Sequence, residues 1–146
     1  MTTENLKTKA KKSILIVDDD RMIVDLLKEY FLIHGMGEEY NIETFFSAQE
    51  AYDRISKGNF VFALFDKDLK SNEIDGRLLA NYAKQQLATT HICMYTSDVA
   101  LCKDLEEKYG IRIFAKGQTP MKDVAIHVKT LLARQNNSNG SESRTL

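Results

Sequence analysis

Apolar and polar positions along this chain sort into short unbroken runs and longer stretches of helical spacing. Four of the runs end on polar residues: Ile14 to Val17 meets Asp18 and Asp19, Phe60 to Phe65 meets Asp66, Ile92 to Tyr95 meets Thr96, and Ile111 to Ala115 meets Lys116. Short β-rich runs alternating with helices predict a parallel α/β sheet. Ligands of such sheets gather beyond the carboxyl ends of the strands, so these acids, the hydroxyl and the ammonium are expected to meet at one point.

The pattern predicts five β–α units. The first strand is Ser13 to Val17. Asp20 caps a helix whose Ile23, Leu26, Leu27, Tyr30 and Phe31 form one face, stopped by Gly35 and Gly37. The alternating run Asn41 to Phe45 reads as a half-exposed edge strand. Ser47, with Glu50 in capping-box spacing, starts the second helix, and Gly58 ends it. The unbroken Phe60 to Phe65 run is a central strand covered on both faces. A polar connection, Lys67 to Ile74, leads to Asp75 and Gly76, which open a helix at Leu78, Leu79, Tyr82 and Ala83. His91 to Tyr95 is the fourth strand, and a helix follows from about Val99 to Tyr109. The run broken by Arg112 is the other edge. Thr119 and Pro120 start the last helix, with Val124, Ala125, Val128, Leu131 and Leu132 at helical spacing.

Length makes this one domain over 13–134, in which about two-thirds of the unfolded surface can be buried. Residues 1–12 read as a disordered basic arm and 135–146 as a disordered polar tail. With 20 basic and 21 acidic residues the net charge is -1, which provides no footprint for nucleic acid or an anionic membrane. The apolar runs are too short to span a bilayer, and no secretory signal is read at the start. Cys93 and Cys102 lack metal-type spacing and read as reduced core thiols, which points to the cytoplasm. His34, His91 and His127 have no ligand-type partners and read as packing or surface residues.

Asp18, Asp19 and Asp66 crowd three carboxylates together, which is costly unless a cation offsets them. All-oxygen donors suit Mg²⁺, and no His or Cys is close enough in sequence to suggest zinc. With the metal in place, Thr96 can donate to a phosphoryl oxygen and Lys116 can pair with another. Asp66, alone at the end of the most central strand, is the candidate acceptor, its carboxylate giving an acyl phosphate.

These residues together resemble the receiver domain of two-component response regulators, especially the stand-alone, chemotaxis-type members, over about Ser13 to Ala133. The resemblance implies a doubly wound, flavodoxin-like (βα)5 fold of strand order 2-1-3-4-5. It further implies that Asp66 is phosphorylated by a histidine kinase or histidine phosphotransfer protein and that Asp19 is a direct metal ligand. Asp18 would act on the metal through water, and Asp68 would lend its backbone carbonyl. Thr96 and Lys116 match the switch hydroxyl and the phosphate-pairing lysine. Such a protein is a phosphorelay component rather than a dedicated enzyme. Its output would be contact with a downstream protein through the face formed by the fourth helix, fifth strand and fifth helix.

Three departures bear on switching. Gly117 follows Lys116 where the family has proline in a cis bond, so a trans Lys116–Gly117 peptide is expected. The connection after Asp66 is about two residues longer than usual. Ile113 stands at the switch position where the family often has Tyr or Phe, and Phe114 is expected to face the opposite side of its strand. Asp68 and Asp98 read equally well as solvated loop acids. Two alternatives carry other functions: a receiver-like module that is never phosphorylated, and a haloacid-dehalogenase-type phosphatase, whose DxD resembles Asp66-Lys67-Asp68. The latter wants acids after the lysine, where the ordered chain offers only Asp123.

Overall fold

The structure, a computed structural model, describes residues 11–69 and 74–145, with the backbone alone for 135–145. Its strands are β1 (Ser13–Val17), β2 (Asn41–Phe45), β3 (Phe60–Phe65), β4 (His91–Thr96) and β5 (Arg112–Ala115). Its main helices are α1 (Arg21–Ile33), α2 (Ala48–Ser56), α3 (Gly76–Gln86), α4 (Lys103–Tyr109) and α5 (Met121–Thr145). The sheet is parallel throughout in the order β2-β1-β3-β4-β5.

Strand residues alternate between two cores. Leu15, Val17, Ile92, Met94 and Ile113 face α2, α3 and α4, while Ile14, Ile16, Cys93, Tyr95 and Phe114 face α1 and α5. A bulge in β3 breaks that parity: Ser13 aligns with Phe60 but Ile14 with Phe62, so Phe60 and Phe62 lie in different cores. Edge strand β2 is fastened to α2 by Arg54, whose guanidinium donates to both Glu43 oxygens at 2.9 and 3.1 Å and to the Gly58 carbonyl at 2.6 Å.

Capping follows the sequence closely. Asp20 accepts the N–H groups of Met22 and Ile23, Ser47 that of Glu50, and Asp75 those of Arg77 and Leu78. Helix faces differ more. In α1 the buried side chains are Val24, Leu27 and Phe31, while Leu26 is exposed; in α3, Ala80 is buried and Leu78 exposed. A few tens of degrees of helix rotation exchange such neighbours, and the packing partner decides the angle. One helical turn, Met36–Glu39, follows α1 and takes in Gly37, and the fourth helix begins as a 3-10 turn over Val99–Cys102.

Residues 1–10 of the basic arm lie outside the described residues, but Lys11 and Lys12 are tied to the fold: their carbonyls accept from Asn41, and Lys11 Nζ reaches the Gly37 carbonyl. At the other end, α5 runs on to Thr145. Extending a helix already anchored by packing needs no new nucleus, which its Asn, Ser and Gly composition alone does not reveal.

Candidate functional site

Parallel register brings the strand-end residues together. Val17 aligns with Phe65, so Asp18 and Asp66 emerge side by side, and the Asp66 N–H donates to the Val17 carbonyl at 3.0 Å. On the far side, Thr96 aligns with Ala115, and the Lys116 N–H donates to the Thr96 carbonyl at 2.9 Å. Lys116 then crosses to the acids. Its Nζ lies 2.8 Å from Asp18 and 3.0 Å from Asp66.

One oxygen each from Asp18, Asp19 and Asp66 lies within 4.8 Å of the others, with Asp18 and Asp66 buried and Asp19 half-buried. Burial pushes the Asp18 carboxyl up to about 6, even though Lys116 and the Asp20 N–H both favour its charged form. For Lys116, burial opposes the charge, but hydrogen bonds to Asp18 and Asp66 outweigh it and raise the ammonium's pKa. Three carboxylates against one ammonium leave two negative charges in a small volume. An all-oxygen set with that imbalance fits a hard dication such as Mg²⁺.

The remaining residues divide. Asp18 has both oxygens engaged, Oδ1 with the Asp20 N–H at 3.0 Å and Oδ2 with Lys116. Asp20 serves as a helix cap. Asp68 turns its carboxylate to Lys67 at 3.1 Å, outside the acid cluster, which leaves only its backbone carbonyl for the role the resemblance gives it. Thr96 is fully buried, and its hydroxyl accepts the Asp98 N–H at 3.1 Å. Asp123 is exposed in the first turn of α5. Cys93 and Cys102 are free and buried, their thiols pushed up to about 12 and about 11 by desolvation.

Two glycines shape the rim. A Cβ on Gly76 would lie 1.7 Å from the Asp66 carbonyl oxygen, so only glycine lets α3 begin against the acceptor strand. From the sequence Gly76 reads as a helix start alone; its place directly after a capping acid is the signal for the closer role. Gly117 has φ +85°, a left-handed conformation that suits glycine and that proline cannot adopt, and the Lys116–Gly117 bond is trans. Ile113 is half-buried toward α4 and Phe114 lies in the opposite core, edge-on to His127, as the alternation of the strand requires.

No protein-family model and no curated protein matches the chain. Solved structures do. A CheY-like response regulator receiver domain protein from Methanospirillum hungatei is similar at 26% identity and a TM-score of 0.73, covering 88% of this chain and 99% of its own. The receiver domain of Francisella response regulator 1452 shares 22% identity at a TM-score of 0.69, over 86% and 99% of the two chains. The receiver domain of a Luxo repressor protein from Vibrio parahaemolyticus shares 19% at 0.71, over 90% and 98%. A parallel sheet of this order, matched end to end by these structures, is the receiver fold of response regulators, and it is to that fold that this chain belongs.

Proposed function

We propose that this chain is a phospho-accepting receiver, taking a phosphoryl group on Asp66 from a histidine kinase or histidine phosphotransfer protein in a Mg²⁺-dependent reaction. The observation that carries this is the placement of Lys116 Nζ against both Asp18 and Asp66, inside a cluster where three carboxylate oxygens lie within 4.8 Å. Asp18, Asp19 and Asp66 would hold the ion, with the Asp68 carbonyl beside them. When bound, it supplies charge that offsets the carboxylates and lets a dianionic group approach.

The protein groups then do the rest. An Asp66 oxygen attacks phosphorus, the phosphorus–nitrogen bond of the donor's phosphohistidine breaks, and the imidazole leaves as a neutral group after taking up a proton. Lys116, already within hydrogen-bond reach of Asp66, pairs with a phosphoryl oxygen. Thr96 donates to another. Water attacking the acyl phosphate returns inorganic phosphate and the free carboxylate, so the chain is a resettable switch and not a dedicated enzyme.

Output would leave by protein contact. A groove of about 560 Å³ lies next to Lys116, lined by Val99, Lys103, Glu106, Ile113 and Gln118, and so is placed to register a change at the site. Exposed Val99 and Leu101 add apolar surface on the 3-10 turn before α4. Among the described residues no helix is long and apolar enough to cross a membrane, and two free buried thiols support a cytoplasmic setting.

Incubation with a small-molecule phosphodonor, with and without Mg²⁺, followed by borohydride trapping and mass spectrometry, tests the reading. An adduct on Asp66 that requires the metal is expected. An adduct on a histidine, or none on Asp66 under conditions that phosphorylate another receiver, overturns it.

A further inference from the structure

Thr96 is held by a chain of contacts that lies outside the acid cluster. Its hydroxyl accepts the Asp98 N–H at 3.1 Å, and the Asp98 carboxylate lies 3.7 Å from Lys67 Nζ. Lys67 directly follows Asp66 and also holds Asp68 at 3.1 Å. Its side chain is only 13% exposed, low for a loop lysine, because it lies between acids of two different loops. A second brace runs parallel. Arg77 holds the capping acid Asp75 and donates to the Leu101 carbonyl at 3.1 Å, while the Gly76 N–H donates to the Lys67 carbonyl at 2.8 Å. The segment from Asp98 to Leu101 is therefore tied at one end to Lys67 and at the other to Arg77 in the first turn of α3.

We propose that Lys67 and Asp98 are positioning residues for Thr96. Their ion pair keeps the loop after β4 where the Asp98 N–H captures the Thr96 hydroxyl, which fixes the rotamer from which its free O–H donates to a phosphoryl group. The proposal rests on the phosphoacceptor reading of Asp66. Without the lysine, Asp68 and Asp98 face each other with no cation between them, and the loops part. Without the Asp98 carboxylate, the loop loses its hold on Lys67 while keeping the N–H. Asp98 makes no side-chain cap to the 3-10 turn, so its replacement leaves that turn intact.

A charge effect and a positioning effect differ in sign. Lys67→Met makes the site more negative and Asp98→Ala makes it less so; acting through charge alone, they would move phosphate-mimic binding in opposite directions. Acting through Thr96 they move it the same way. Three-bond couplings from the backbone nitrogen and carbonyl carbon to the Thr96 methyl carbon report its χ1 in both variants and in the parent. Beryllofluoride with Mg²⁺ is then titrated against each. The parent is expected to show one Thr96 rotamer and both variants an average. The beryllofluoride midpoint is expected to rise about twofold to fivefold in both, the worth of a partly exposed ion pair. An unchanged rotamer in both variants, or midpoints shifted in opposite directions, overturns the proposal. If the parent itself takes no beryllofluoride at Asp66, the phosphoacceptor reading fails, while the couplings still judge the hold on Thr96.

Discussion

At the scale of single residues, the most constrained position is Gly76. Its missing Cβ lets the Asp66 carbonyl oxygen approach to where a methyl would lie 1.7 Å away, and the obstacle is backbone, not a side chain that can turn aside. Gly76→Ala is therefore expected to lower stability by about 3 kcal/mol, the upper range of overpacking effects, and to abolish phosphorylation as the acceptor strand shifts. Urea unfolding and borohydride trapping measure the two effects. Lys116 makes a different prediction because its role is electrostatic. Ionised Asp18, with a pKa raised from 3.8 to about 6, opposes folding above pH 6, and this cost fades as pH falls toward 3.8. Lys116→Met removes the cation that offsets it. The variant is expected to lose roughly 3 kcal/mol at pH 7.5, with the deficit shrinking toward pH 5 as Asp18 protonates. A deficit independent of pH would assign Lys116 a packing role instead.

At the scale of elements, strands were more legible than helix faces. A strand has only two faces, so the runs ending at Asp18, Asp66, Thr96 and Lys116 left little freedom, and the register did the rest. The bulge that separates Phe60 from Phe62 left no mark in an unbroken apolar run. Leu26 and Leu78 show the helical limit: each is apolar at helical spacing, yet each is exposed, because packing and not composition selects the face. The alternation in β5 has a consequence for signalling. Ile113 lines the groove beside Lys116, whereas Phe114 is locked in the other core against His127. A β-branched side chain has few rotamers, so no aromatic turn can report on the site from here. Binding of beryllofluoride is expected to produce small amide shifts spread over 99–109, with Phe114 little changed. Large shifts confined to α1 would place the output on another face.

At the scale of the whole molecule, the candidate site was readable because four strands deliver it through backbone order alone, whereas its supports come from loop geometry. Lys67, Arg77 and Asp98 carry no spacing signal, and the tie from Lys67 to Asp98 appears only once the chain is folded. The same convergence makes global stability a reporter of the site. Gathering Asp18, Asp19 and Asp66 within 4.8 Å is repulsive, and one lysine offsets only part of the charge. Asp19, the half-buried member, is the ligand the family resemblance makes direct. Asp19→Asn is therefore expected to raise the thermal midpoint of the metal-free protein while removing the further rise that Mg²⁺ gives the parent. That rise amounts to about 1.4 kcal/mol when the metal is at ten times its Kd. The two effects have opposite signs, so one melting series with and without Mg²⁺ separates them. If Asp19→Asn instead melts lower without metal, the acids are not under mutual strain. If the variant still gains from Mg²⁺ as the parent does, the ion is held without Asp19.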